Sequence, residues 1–222
     1  MVKRTVLGLS LAAALAACTN EPYKSGDTDL SYLRTDFVVA KTDGNSRITT
    51  AITDDGDSLL LSPPKTAEWA TAPDSAYRAL LYGNRRSGNT EVEAVGIAQV
   101  PVLVPQASVP DSLSLNDPLG MESAWVSKNK KYINLALILK TGKASDAKAS
   151  RQRIGLACDS IVQHGSSYTY YIRLLHGQNG VPEYYSTKVY ASIPLSEFHA
   201  NSRVELSIPT YEGMTTRTFS VK

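Results

Sequence analysis

Cysteine, histidine and long apolar runs are all scarce in this sequence, and each scarcity excludes something. Only Cys18 and Cys158 occur in 222 residues. Two cysteines cannot build a disulfide framework, which staples a small fold at several points. The three histidines, His164, His176 and His199, are far apart, none three or four residues from another. A zinc site needs three or four ligands, and this spacing offers no local pair. No glycine-rich phosphate loop, nucleophile elbow or His-Glu-x-x-His pattern is present. Charge of one sign is lacking too, with 23 basic against 21 acidic residues. No long amphipathic helix and no internal repeat is visible.

The N-terminus is where the sequence is most specific. Lys3 and Arg4 open it, and Val6 to Ala14 follows, apolar apart from Gly8 and Ser10. A bilayer-spanning helix needs roughly 20 apolar residues, so this stretch is too short. A basic start, a short apolar core and small residues at the end fit a signal peptide. The segment Leu15-Ala16-Ala17-Cys18 resembles a lipobox, in which the cysteine thiol takes a diacylglyceryl group and the preceding residues are removed. The expectation is a signal peptide at 1–17, lipidation at Cys18 and a polar tether over 18–29. Each buried CH₂ of an acyl chain adds roughly 0.8 kcal/mol, so two or three chains give a stable membrane anchor. Thr19, with no Asp in that place, resembles an outer-membrane address.

Removal of 1–17 changes the charge. Lys3 and Arg4 leave with it, and the remaining chain carries 21 basic and 21 acidic residues. Nucleic-acid binders show a basic surplus or stripe, so no nucleic-acid partner is expected. With Cys18 acylated, Cys158 has no intrachain partner. It lies in the apolar run Ile154-Gly155-Leu156-Ala157-Cys158 and reads as a small buried hydrophobe.

What fills the chain is strand pattern. Leu33–Thr42 ends at Asp43-Gly44-Asn45, and Ser46–Thr53 alternates with Ile48, Thr50 and Ile52 on one face. Asp54-Asp55-Gly56-Asp57 reads as a hairpin turn, since Asp-Gly supplies the positive φ of tight turns. Ser58–Leu61 and Tyr77–Tyr82 are further strands. Val92–Val104 reads as one long strand, with Val92, Ala94, Ala98, Val100, Val102 and Val104 on one face and Gly96 and Pro101 marking a bulge or an edge. Pro105 to Pro118 holds three prolines and reads as a linker. Beyond it, Glu122–Ser127 and Lys131–Lys140 form a hairpin about Lys128-Asn129-Lys130. Gln152–Val162, Tyr168–His176, Tyr184–Ile193, Arg203–Ile208 and Thr215–Val221 complete the strands, with a helical turn over Pro194–His199. The fold class is therefore all-β. An OB-like β-barrel over 30–107, a linker at 108–118 and a β-sandwich over 119–222 are expected.

Three stretches carry a family resemblance. They are Ile48-Thr49-Thr50-Ala51-Ile52-Thr53-Asp54-Asp55-Gly56, then Asn116-Asp117-Pro118, then Trp125 with Lys131-Tyr132-Ile133-Asn134-Leu135 on the return strand. Together with the lipobox they resemble the NigD-like lipoproteins of Gram-negative anaerobes. The resemblance implies an N-terminal OB-like domain followed by a β-sandwich. It carries over no catalytic residue.

Asp54-Asp55-Gly56-Asp57 lacks the ligand spacing and closing Glu of an EF-hand, so no metal and no cofactor is expected. Lys128, Lys130 and Lys131 read as a solvated hairpin tip. Trp69 and Trp125 read as core or interdomain packing. Tyr77 and Tyr82, with Arg78, Arg85 and Arg86 nearby, could stack single-stranded nucleic acid on an OB-like face, but an exported neutral chain argues against it. Tyr168, Tyr170, Tyr171, Tyr184, Tyr185 and Tyr190 fall in two consecutive strands. They suit either cross-strand pairing or contact with a protein or glycan partner. The expected function is a non-enzymatic, outer-membrane-anchored binding module. The alternative is a hydrolase built from scattered Ser, His and Asp, with His176 and a serine on a neighbouring strand as the first pair.

Overall fold

The computed structural model describes residues 33–85, 90–107, 115–143 and 151–222. The signal peptide, Cys18, the tether and Arg86 lie outside these residues. Strands make up most of the described chain, as the alternation implied. No described helix is long and apolar enough to cross a membrane.

Five strands close into a barrel: β1 (Leu33–Thr42), β2 (Ile48–Thr53), β3 (Ser58–Lys65), β4 (Ala76–Asn84) and β5 (Glu91–Gln99). Their order is β1-β2-β3-β5-β4, with β4 returning to β1. Neighbours are antiparallel except β3 and β5, which pair in parallel at Leu60–Glu91 and Leu61–Val92. This is the OB-type barrel expected from the sequence. Local chemistry fixes the turns. Asp43 accepts the backbone N–H groups of Asn45 and Arg47, each at 2.9 Å, across the β1–β2 turn. Gly56 supplies the φ of +96° that closes β2 to β3.

The barrel interior holds Val38, Ile48, Leu59, Leu61, Leu81 and Val92, with Ala40, Ala51, Ala79 and Ala94 between them. Fully burying each large aliphatic side chain contributes about 1.5–3 kcal/mol. The small residues let so narrow a barrel close. At Gly83 an added Cβ would stand 2.6 Å from Val92 Cγ1.

β5 departs from the expected single long strand. Tyr82 pairs with Gly96 but Gly83 pairs with Ala94, so Val95 is one residue too many. Such a bulge shifts the side-chain alternation by one. Val92 and Ala94 face inward, yet beyond the bulge Ile97 faces the core and Ala98 faces out. The strand then stops at Gln99. Further on, Leu103 is buried while Val102 and Val104 are exposed. Past Val95 the even-numbered face extrapolated from the sequence therefore holds only at Val100, which is buried.

The rest of the chain forms two sheets. β6 (Pro105–Gln106), β9 (Arg153–His164), β10 (Ser167–Gly177), β12 (Ser202–Thr210) and β13 (Gly213–Val221) make one, in the order β13-β12-β10-β9-β6. β7 (Gly120–Val126), β8 (Tyr132–Thr141) and β11 (Tyr185–Pro194) make the other, in the order β11-β8-β7. The two sheets share one core. Ile133, Leu135, Leu137 and Leu139 from β8 pack with Ile172, Leu174, Val204, Leu206 and Ile208. A single 3-10 turn, Leu195–Glu197, stands where a helical turn was expected.

The chain reaches the sandwich before residue 108. Val102 forms a parallel bridge to Ser192, and β6 pairs with β9 at Pro105–Leu156. Residues 115–118 are also held, not free. Leu115 O accepts the His176 N–H at 2.8 Å, and Asp117 Oδ2 accepts the Gln178 N–H at 2.7 Å. The prolines read as linker punctuation thus flank backbone bonded to β9 and β10. Residues 108–114 lie outside the description.

Candidate functional site

The most deeply buried charge joins the barrel to the sandwich. Arg78 on β4 is 4% exposed. Its guanidinium makes a bidentate pair with Asp54 at 2.7 and 2.6 Å. It also donates to Asn134 Oδ1 at 2.9 Å and Ser192 Oγ at 3.1 Å, on β8 and β11. Asn134 Nδ2 donates to Asp54 at 2.7 Å, and Ser192 Oγ donates to Asn134 Oδ1 at 2.8 Å. Tyr132 lies under the guanidinium, 4.1 Å from ring centroid to Cζ. Every strong partner of a buried cation is thus supplied, which offsets its desolvation. Around this set, Phe37 of β1 packs edge-to-face with Trp125 at 5.6 Å and Tyr190 at 5.3 Å.

Asp54 comes from the acidic turn, and Tyr132 and Asn134 come from the Trp125 hairpin. Two of the three stretches that carried the resemblance therefore meet at this joint. The other two acids of the turn are engaged as well, Asp55 with Lys128 at 3.6 Å and Asp57 with Arg85 at 2.7 Å. Ser192 Oγ meets Arg78 and Asn134 here, so the set bridges barrel and sandwich. Trp125 packs between the two units and Trp69 packs on Tyr77 in the barrel, at 5.7 Å. Tyr77 and Arg78, two of the residues of the possible stacking face, are engaged in these contacts.

His176 is fully buried, and its ring faces Asp117 O and Gln152 Oε1, each at 3.1 Å. Both ring nitrogens are engaged by oxygens, and neither meets a serine. The pair suggested for a hydrolase is not formed. His199 is exposed but not free, stacked on Tyr168 with centroids 4.6 Å apart and hydrogen-bonded to the Tyr170 hydroxyl. His164 is exposed. Cys158 is half-buried against the sandwich core, not fully buried as expected. Burial, then Asp159 beside it, pushes its thiol up from the ordinary value, away from thiolate reactivity. No group of three or more His, Cys, Asp or Glu among the described residues could hold a metal.

The six tyrosines do not form one cluster. β10 and β11 follow one another in sequence but lie in different sheets. Tyr170 is in the core and Tyr190 is in the domain joint. Tyr184 and Tyr185 remain free of both, 76% and 56% exposed. The residue after them, Ser186, opens onto a groove of about 410 Å³ that runs between β8 and the β12–β13 turn. Ser186 and Lys140, the pair next to Tyr185–Thr141 in the β11–β8 register, line it. Lys140 Nζ sits 4.3 Å from the centroid of Tyr211 and 3.3 Å from Glu183. Burial holds the Tyr211 hydroxyl above its ordinary pKa, with Lys140 pulling it back. Arg217 also lines the groove and makes no ion pair among the described residues, donating only to Thr216 O at 3.3 Å. Thr210, Glu212 and Thr215 add two hydroxyls and a carboxylate. Sequence reasoning missed Lys140, Tyr211 and Arg217, because β8, the β12–β13 turn and β13 supply them separately.

A second cleft of about 410 Å³ lies between the barrel and the sandwich. Leu80, Tyr82 and Ala98 wall it on one side, and Leu139, Ile154 and Val189 on the other. Neither cleft, nor a third of about 420 Å³ beside Lys131 and Phe198, is lined by a histidine.

No protein-family model and no curated protein matches the sequence. Solved structures do. A NigD-like immunity protein from Bacteroides caccae is 21% identical, with a TM-score of 0.59 over 84% of this chain and 92% of that one. A protein of unknown function from Bacteroides vulgatus is 15% identical, with a TM-score of 0.58 over 85% and 92%. A candidate lipoprotein from Bacteroides fragilis is 13% identical, with a TM-score of 0.55 over 86% and 97%. The two-part fold of the NigD-like protein is thus the fold of this chain, as the sequence resemblance implied.

Proposed function

We propose that this chain is a lipid-anchored cell-envelope protein that binds a glycan-type ligand in the groove beside Tyr184 and Tyr185, without chemistry on it. The observation that carries the reading is a pair of widely exposed tyrosines at the start of β11, where the next residue, Ser186, lines a groove of hydroxyls and charges of both signs. A tyrosine ring offers an apolar face to a sugar's CH surface, and hydroxyls, Arg217 and Glu212 suit a polyol's mixed donors and acceptors. The buried, oxygen-bonded His176 and the absence of a base beside Ser192 support binding over hydrolysis. The lipobox at Cys18 and the candidate lipoprotein of the same fold support the anchor, and Thr19 supports an outer-membrane address.

Purified protein starting at Cys18 is applied to an array of cell-envelope polysaccharides. Retention is expected on at least one, weakened about tenfold or more by Tyr184→Ala with Tyr185→Ala, as loss of a buried aromatic contact costs over about 1.4 kcal/mol. Release of sugar, or no retention on any glycan, would sink the reading. For the anchor, mass spectrometry is expected to find acylated Cys18 at the N-terminus, and Cys18→Ser to leave the membrane fraction.

A further inference from the structure

The geometry points to a second binding site, the open edge of β11 inside the barrel–sandwich cleft, which takes a short, extended, apolar segment of a partner polypeptide as an added strand. Ser192 shows how this edge is used. Its N–H donates to Pro101 O at 2.9 Å, and its C=O accepts the Leu103 N–H at 2.8 Å. Residues 101–103 are thus a minimal strand added in parallel to β11. That strand goes no further, because the chain turns away at Val100, whose N–H donates to Arg78 O on β4 at 2.9 Å.

β11 itself continues. Its pairing with β8 is unbroken from Tyr185–Thr141 to Pro194–Tyr132, with no register shift. In an unbroken strand the N–H and C=O of every second residue point to the same edge. The backbone groups of Tyr190 and Lys188 therefore point where those of Ser192 point, away from β8. Among the described residues no backbone group meets them. An exposed strand edge of this kind is a template for another strand.

The surroundings select what joins it. An added strand would have Leu80, Tyr82 and Ala98 over one face, and Leu139, Ile154 and Val189 over the other. Strands covered on both faces are continuous apolar runs, not alternating ones. No carboxylate lines the cleft, and the one cation, Lys188, is paired to Glu122 at 2.7 Å. The occupant is therefore uncharged over its central residues, held by main-chain bonds in the manner of β-strand addition. The site is separate from the tyrosine groove, so failure of glycan binding leaves it standing.

The probe is an acetylated, amidated peptide, Lys-Thr-Val-Ile-Val-Thr-Lys, added to the isotope-labelled chain from Cys18 to Lys222. Amide exchange at Lys188 and Tyr190 is expected to slow about tenfold or more, a single hydrogen bond's worth. The same peptide with N-methylated valines, which cannot complete the ladder, is expected to leave both amides unprotected. Lys188→Pro removes one outward donor and no β8 bond, so it is expected to abolish protection at Tyr190, while Lys188→Ala retains it. Three outcomes overturn the proposal. One is no slowing at either amide. Another is protection without peptide, which would mean the chain's own segment fills the edge. The third is protection that rises with protein concentration, which would assign the edge to a second copy.

Discussion

Arg78 shows how one residue can decide a structure. Its strand, Tyr77–Tyr82, is otherwise apolar, and an arginine there must find buried partners. It finds them in Asp54, Asn134 and Ser192. Removing one member of a buried ion pair strands the other, at about 3–5 kcal/mol. Arg78→Ala is expected to lower unfolding free energy toward the lower end of that range, since Asp54 keeps some solvent contact; urea denaturation measures it. Arg78→Lys is expected to recover only part, because an ammonium cannot make the two-pronged contact. Asp36 on β1 is a milder case. Burial holds its carboxyl above the ordinary carboxylate range, with Arg85 and Arg34 pulling it down. A carboxyl raised in the folded state binds protons more readily folded than unfolded. Stability therefore falls as pH rises through the window just above the unfolded value. Asp36→Asn is expected to raise the urea midpoint at about pH 7 and to lose that gain below about pH 4, where Asp36 is protonated in both states.

At the scale of elements, proline tells the two edges of β11 apart. Val189 points its N–H toward β8, so Val189→Pro breaks a ladder bond and is expected to cost about 3 kcal/mol or more. Lys188→Pro points to the open side and is expected to lower the melting temperature far less. Differential scanning calorimetry of the two variants checks the assignment. The strands themselves were legible in the sequence, because alternation and turn residues are local signals. Asp54-Asp55-Gly56 announced its turn, and Arg203–Ile208 announced its strand. What was not legible depended on neighbours. The bulge at Val95 exists only relative to β4, so nothing in Val92–Val104 alone revealed the change of face. The tyrosines looked like partners because β10 and β11 adjoin in sequence, yet sheet order is set by long-range pairing. The groove of Lys140, Tyr211 and Arg217 was hidden for the same reason. The stretches that carried the resemblance proved informative about place, since Asp54 and Asn134 bond to one another across the joint.

For the whole molecule, the joint makes two bodies behave as one. The hydrogen bonds of Arg78 and Asp54 to Asn134 and Ser192, a T-shaped aromatic trio and the strand addition of 101–103 all cross it. Unfolding is expected to be a single transition. The two tryptophans report it from different places, Trp69 within the barrel and Trp125 at the joint. Trp69→Phe and Trp125→Phe, each leaving one reporter, are expected to give superimposable fluorescence transitions in urea. Phe37→Ala, which hollows the joint, is expected to separate them. The placement of Leu33 has a mechanical consequence. Leu33 pairs with Asn84, six residues along β4 and so roughly 20 Å from Arg78. A membrane tether would attach at that end, the start of β1. Tension between membrane and ligand would then run along β1, at right angles to its nine paired positions with β4. Bonds loaded in that direction share the force and yield together, whereas a tether fixed at a hairpin tip would unzip them singly.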